Sequence, residues 1–207
     1  MSSSISKVVI KRLPRYLRVL ESFMKREVER VSSKELAVKL GSTASQVRQD
    51  FNCFGDFGQH GYGYKVKDLY AKIKEILGLN KKYSCIIVGA GNIGQAIMNY
   101  SKFLDIGFDI EAIFDINPKL IGVSFRGIEV LDVDSLDNYV ETHSVDIAIL
   151  CVPEIQTNSV YNILKDRVKG IWNFATVDLS STEETSVENV NLNDSLFTLV
   201  YFINDKD

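Results

Sequence analysis

Tyr83-Ser-Cys-Ile-Ile-Val-Gly-Ala-Gly-Asn-Ile-Gly94 decides the fold of this 207-residue chain. Its first half is a short apolar, β-rich run that reads as a buried parallel strand. Its second half is a Gly-x-Gly-x-x-Gly motif, and a helical pattern through Ile97, Met98, Phe103 and Leu104 follows it. A glycine motif alone says little, but between a strand and a helix each glycine has a physical task. Gly89 permits the tight turn, Gly91 lets the backbone approach a pyrophosphate, and Gly94 lets the helix lie close to the strand. Gly89, Ala90, Gly91, Asn92, Ile93 and Gly94 are therefore candidate ligand contacts, with the pyrophosphate at the helix N-terminus.

Outward from that motif, the next strand (110–114) ends at Asp115, 21 residues after Gly94. An acid there accepts hydrogen bonds from a ribose hydroxyl, beside Ile116. A 2′-phosphate would be repelled, which favours NAD over NADP, Lys119 being the cation nearby. A core strand (146–152) runs through Val152 into Pro153, and a further strand (171–175) offers Asn173 as a polar contact beside Phe174 and Ala175. Strands alternating with helices describe an α/β, doubly wound parallel sheet of Rossmann type. Another nucleotide or coenzyme A is the competing ligand. The final run, Asn193-Asp-Ser-Leu-Phe-Thr-Leu-Val-Tyr-Phe-Ile203, suits a strand or a capped helix equally, and a second subunit is one candidate to cover it.

The N-terminal third is electrostatically different. Residues 1–80 carry 15 Lys+Arg against 8 Asp+Glu, net +7, whereas residues 81–207 carry 9 against 19, net −10. A basic part on an acidic remainder implies two domains, the first with a polyanionic partner. Pro14 fits the first turn of a helix that continues through Leu17, Leu20, Phe23, Met24 and Val28. Ser32 and Glu35 form one capping box, and Thr43 and Gln46 a second, around a turn at Gly41. Two short helices so joined make a helix-turn-helix. The second carries Ser45, Gln46, Arg48 and Gln49 on its polar positions, and Arg and Gln pair bidentately with purine edges. Gly55-Asp-Phe-Gly-Gln-His-Gly-Tyr-Gly-Tyr64 then reads as a hairpin, so His60, Gly61 and Tyr62 would touch duplex DNA as a wing. Lys11, Arg12 and Arg15 add cations for the phosphates. RNA is disfavoured, because no aromatic stacking pair is presented on a sheet. The boundary falls near residues 79–82.

A dehydrogenase needs a proton-handling group beside the nicotinamide. The two histidines are His60, in the wing, and His143, in a polar stretch. Tyr161 and Lys165 form a Tyr-x-x-x-Lys without the glycine pattern that accompanies it in short-chain dehydrogenases. No set for hydride chemistry is evident, so the dinucleotide would be a signal and no catalytic residue is assigned. Cys53, Cys85 and Cys151 have neither disulfide nor metal-ligand spacing, so no metal is expected and the reading is a reducing cytoplasm. A composition of 45% hydrophobic and 25% charged residues is that of a globular protein. No apolar run reaches membrane-spanning length and no secretory signal is read.

These stretches together resemble the Rex family of redox-sensing transcriptional repressors, along nearly the whole chain. The resemblance is carried by Lys11-Arg-Leu-Pro14, Arg30-Val-Ser-Ser33, Gln46-Val-Arg-Gln-Asp-Phe51, Phe54-Gly55, Gly61-Tyr-Gly-Tyr64, the glycine motif, Phe114-Asp115, Gly170-Ile171, Asn173-Phe-Ala175 and Val187-Glu-Asn-Val190. It implies a homodimer with a winged helix-turn-helix (1–79), a Rossmann domain (80–192) and a C-terminal helix (193–207) exchanged between subunits. It implies that the winged helices bind an AT-rich palindromic operator. NADH in the Rossmann domain would release the DNA, while NAD+ would compete without releasing it, so that fermentation and anaerobic respiration genes are derepressed. An arginine, a tyrosine and an aspartate couple the domains in the family, matching Arg18, Tyr100 and Asn191 here, and the resemblance also implies that Tyr100 touches the cofactor. Asparagine cannot form the ion pair. Gln49, Gln59 and His60 stand where many members have basic residues, and Thr176 where many have proline.

Overall fold

The computed structural model describes residues 6–55, 62–100, 103 and 106–205, and the chain divides into two compact units, 1–81 and 82–207. In the first, α1 (Lys7–Met24), α2 (Ser33–Leu40), α3 (Ala44–Asn52) and α4 (Val66–Ile76) pack around Leu13, Tyr16, Leu20, Leu36, Val47, Phe51, Leu69 and Ile73. Ser6 caps α1, so Pro14 lies inside the helix and not in its first turn. The missing Pro14 N–H leaves the Ile10 carbonyl without its usual helical donor. The ends of α2 follow the sequence closely. Ser32 and Glu35 complete a reciprocal capping box, and Gly41 closes the helix at φ 63°. The second expected box is only half made. Thr43 accepts from the Gln46 N–H, but the Gln46 side chain turns to Asp50.

Strand β1 (Arg30–Val31) pairs antiparallel with β2 (Tyr64–Lys65), which joins the end of the expected wing to the segment before α2. The partner of Tyr64 is thus Val31, and the tip of the wing, with Gln59, His60 and Gly61, lies outside the described residues. Gly63, at φ 69°, is where this pairing needs glycine, because a Cβ would sit 2.9 Å from the Val31 carbonyl oxygen.

The second unit contains β3 (Tyr83–Val88), α5 (Asn92–Asn99), β4 (Phe108–Asp115), β5 (Ser124–Phe125), β6 (Ile128–Asp132), α6 (Leu136–Thr142), β7 (Ile147–Leu150), α7 (Glu154–Leu164), β8 (Gly170–Asn173), β9 (Ser186–Asn189) and α8 (Leu192–Asn204). The sheet order is β5-β6-β4-β3-β7-β8-β9, parallel except for the short edge strand β5. From β6 to β9 this is the Rossmann order, with the reversal between β3 and β7. One sheet face packs on α6 and α7 through Val88, Phe114, Leu150, Val160 and Leu164. The other meets α5 through Ile87, Ile113, Ile97 and Met98. The ambiguous tail is helix: Asn191 caps it by accepting from the Asn193 N–H. No side chain along α8 is buried.

Candidate functional site

The sheet reversal opens a crevice of about 450 Å³ at the carboxyl ends of β3, β4, β7 and β8, a size usual for ligand sites. It is lined by Gly89, Gly91, Ile93, Asp115, Ile116, Val152, Pro153, Phe174 and Ala175, all expected from the sequence. Asn117, Leu120, Val133, Cys151, Glu154, Gln156 and Thr176 also line it and were missed, since they belong to no motif of fixed spacing.

The glycine loop is held by close backbone contacts. A Cβ on Gly94 would stand 2.0 Å from the Gly89 carbonyl oxygen, and one on Gly89, at φ 101°, 2.5 Å from the Cys151 carbonyl oxygen. By contrast, a Cβ on Gly91 would meet nothing within 4 Å, so its backbone faces open space. No side chain caps α5 there, leaving the positive end of the helix for an anion. Ala90 acts through its backbone: its N–H donates to Asp115 Oδ2 at 2.6 Å, tying the loop to the tip of β4. Asp115 Oδ1 accepts from the Asn117 N–H at 2.8 Å. Each carboxylate oxygen keeps a lone pair for ribose hydroxyls. A phosphate on the 2′ or 3′ ribose oxygen would face this acceptor-only group. Gly91 with the uncapped start of α5 could thus hold a pyrophosphate, and Asp115 a ribose, as an NAD-type dinucleotide requires.

Two expected contacts need correction. Asn173 is fully buried, and its amide is used internally. Its Nδ2 donates to the Val177 carbonyl and to Asn189 Oδ1, while its Oδ1 accepts from the Ala175 N–H. It shapes the loop that presents Phe174 and Ala175. Tyr100 stands at the far end of α5 from the glycine loop, stacked edge-on with Phe103 beside Arg126, and outside the crevice. Asn92 and Gly94 shape the helix start without lining the crevice.

Proton-handling groups are few here. Burial pushes the Cys151 thiol up to about 12, so it stays protonated. His143 stacks on Tyr139 at 4.1 Å, away from the crevice lining. The Tyr161 hydroxyl donates to the Ser180 carbonyl at 2.6 Å and Lys165 Nζ lies 6.0 Å from the Tyr161 ring centroid, but neither residue lines the crevice. No cluster of potential metal ligands occurs among the described residues, and no helix there is long and apolar enough to cross a membrane.

In the first unit, Ser45, Arg48 and Gln49 are exposed on one side of α3, opposite the buried Val47, Asp50 and Phe51. Asp50 is the centre of a polar network in this unit, and its phase among Val47 and Phe51 marks it as buried without disclosing its partners. It accepts from Arg12 Nε at 2.7 Å, from Tyr16 Oη at 2.9 Å and from Gln46 Nε2 at 2.8 Å. Burial alone would raise its carboxyl, but the Arg12, Gln46 and Tyr16 hydrogen bonds outweigh that and hold it below the usual carboxylate range. Arg12 and Tyr16 thus lock α3 onto α1, while Gln46 braces Asp50 from within α3. Arg15 donates to the Leu40 carbonyl at 3.0 Å, and Arg48 to Ser33 Oγ at 3.2 Å. Arg30, also missed, donates to the Tyr62 and Gly63 carbonyls at 3.2 and 3.3 Å, bracing the root of the wing. Lys11, Arg18 and Tyr62 are exposed.

Comparison with known proteins gives matching pictures for both units. Residues 4–52 match the family described as “Putative DNA-binding protein N-terminus”, and residues 80–177 match “CoA binding domain”. The chain is 58% identical over 205 residues to the redox-sensing transcriptional repressor Rex of Clostridium tetani, covering 99% of this chain and 97% of that one. It is 55% identical to the Clostridium beijerinckii protein of the same name, with the same coverage. The crystal structure of RSP with beta-NAD+ and operator DNA superposes with a TM-score of 0.92 at 48% identity, covering 99% of this chain and 94% of that one. RSP with beta-NADH gives 0.90 at 46% identity, covering 99% and 96%.

Proposed function

The chain belongs to the Rex family of redox-sensing transcriptional repressors, and on that premise we propose that it binds operator DNA through α3 and the wing and is released when NADH occupies the Rossmann crevice. NAD+ occupies the same crevice without causing release. The observation that carries this reading is that one chain holds both an exposed base-reading face, Ser45, Arg48 and Gln49, and a dinucleotide crevice whose described lining includes no histidine, lysine or tyrosine to pass a proton during hydride transfer. Coenzyme A is the weaker ligand for the crevice, since Asp115 opposes a ribose phosphate. The dinucleotide is an effector, not turned over, and the repressor works in the cytoplasm on genes of fermentation and anaerobic respiration.

The working unit is a homodimer on an AT-rich palindrome, with recognition helices about 34 Å apart, one turn of DNA. Exchange of α8 between subunits is supported by two features of the second unit. Leu192, Leu196, Phe197, Leu199, Val200, Tyr201, Phe202 and Ile203 are each 46–65% exposed, which is unsustainable for an isolated helix in water. On the sheet, an apolar groove of about 530 Å³ lined by Phe103, Ile147, Ile149, Trp172 and Val187 is left uncovered. Coupling runs through Arg18, Tyr100 and Asn191. Asn191 caps α8 without a charge, so this route lacks an ion pair.

Removing residues 192–207 tests the dimer. Sedimentation should show the full chain as a dimer that binds one palindromic duplex, and the shortened chain as a monomer that binds it at least tenfold more weakly. A shortened chain that remains a dimer would refute the exchange.

A further inference from the structure

The half of the crevice away from Asp115 carries a carboxylate of its own. The Rossmann arrangement places one mononucleotide over each half of the sheet. With the adenosine ribose at Asp115 on β4, the nicotinamide half falls over the tips of β7 and β8. Val152, Pro153, Phe174 and Ala175 make that wall neutral and largely apolar. Glu154, the first residue of α7, interrupts it. Thr176, just beyond β8, donates its hydroxyl to Glu154 Oε2 at 3.4 Å, and both residues line the crevice. The pair bridges the two strand ends that frame this half. Asp115 is the other carboxylate in the described lining, and it is engaged by two backbone N–H groups at the opposite half.

NAD+ and NADH have the same phosphates, riboses and adenine. They differ at the nicotinamide ring, which carries a formal positive charge when oxidised and none when reduced. A fixed carboxylate beside that ring favours the oxidised form by Coulomb attraction and leaves the reduced form nearly untouched. We propose that Glu154, oriented by Thr176, tunes the selectivity of the crevice by strengthening NAD+ binding relative to NADH, and so raises the NADH/NAD+ ratio at which the protein responds. The proposal rests on the dinucleotide reading above and adds to it a residue that sets selectivity. The expected size is modest, because Glu154 is exposed to solvent: about a three- to tenfold change in relative affinity.

Calorimetric titration of the full chain, without DNA, against NADH and NAD+ separately provides the test. Glu154→Gln should weaken NAD+ by about three- to tenfold while NADH changes less than about twofold. Glu154→Lys should widen that gap further, and Thr176→Val should move it in the same direction by a smaller factor. The wild-type preference should approach that of Glu154→Gln as salt is raised. Equal affinity ratios in the wild type and both Glu154 variants would overturn the proposal. Parallel loss of both dinucleotides would also overturn it, by making Glu154 a purely structural residue. Failure of the wild type to bind either dinucleotide would overturn the underlying reading instead.

Discussion

The two sites of this molecule are built in opposite ways. The DNA-reading helix is positioned by side chains, with the buried Asp50 carboxylate gathering Arg12, Tyr16 and Gln46 onto one point. The dinucleotide crevice is positioned by backbone, with Gly94 and Gly89 allowing contacts that any side chain would forbid. The helix-turn-helix therefore depends on a buried charge for its shape, and the glycine loop on the absence of side-chain volume. A single methyl group should disable the crevice and leave the helix-turn-helix intact. Loss of the Asp50 carboxylate should do the reverse.

Gly94→Ala should have the largest effect. Its Cβ would overlap the Gly89 carbonyl oxygen, so α5 must withdraw from β3, at about 3 kcal/mol or more. Calorimetry should show NADH binding lost while the first unit keeps its stability; unchanged NADH affinity would break the comparison at its strongest point. Asp50→Ala comes next. It strands a partly buried guanidinium, a phenol and an amide, and should lower the stability of the first unit by about 2–4 kcal/mol in urea denaturation. The sign of its pH dependence follows from a carboxyl held below its unfolded value. Its contribution is fully present above about pH 4 and is lost as pH falls through the lowered value in the folded state. The variant should therefore show a flatter acid limb than the wild type. Arg48→Ala is the smallest of the three, since Arg48 is exposed on α3 and is not part of the Asp50 network. It should cost about 1–3 kcal/mol of specific DNA affinity with fold and NADH binding unchanged. Loss of thermal stability in that variant would mark Arg48 as a packing residue.

The difference in construction also explains what the sequence disclosed. Glycine spacing is written directly in the chain, so the strand–turn–helix at Tyr83 to Gly94 and the acid at Asp115 were legible. The structure adds that Asp115 also accepts the Ala90 N–H. Side-chain networks depend on long-range partners that no local pattern displays. Asp50 meets Arg12 across 38 residues, so the sequence offered Arg12 as a phosphate contact without disclosing its pairing with Asp50. Asn173 reads as a polar tip because strand ends are commonly exposed. Here Val177 and Asn189 fold back to bury it. Pro14 misled for a local reason. Proline favours first turns, but the buried Val9, Leu13 and Tyr16 stabilise the turns around it enough to carry the helix through.

The central claim is that one chain converts occupancy of the crevice by reduced dinucleotide into release of DNA. The direct measurement is a gel-shift titration of the full chain on its own upstream DNA at fixed salt, with NADH and NAD+ added separately. NADH should weaken the complex by about 5–150-fold, the usual range of allosteric coupling, while NAD+ leaves it in place and shifts the NADH response to higher concentration. A complex that persists at NADH concentrations shown by calorimetry to saturate the protein would contradict the account.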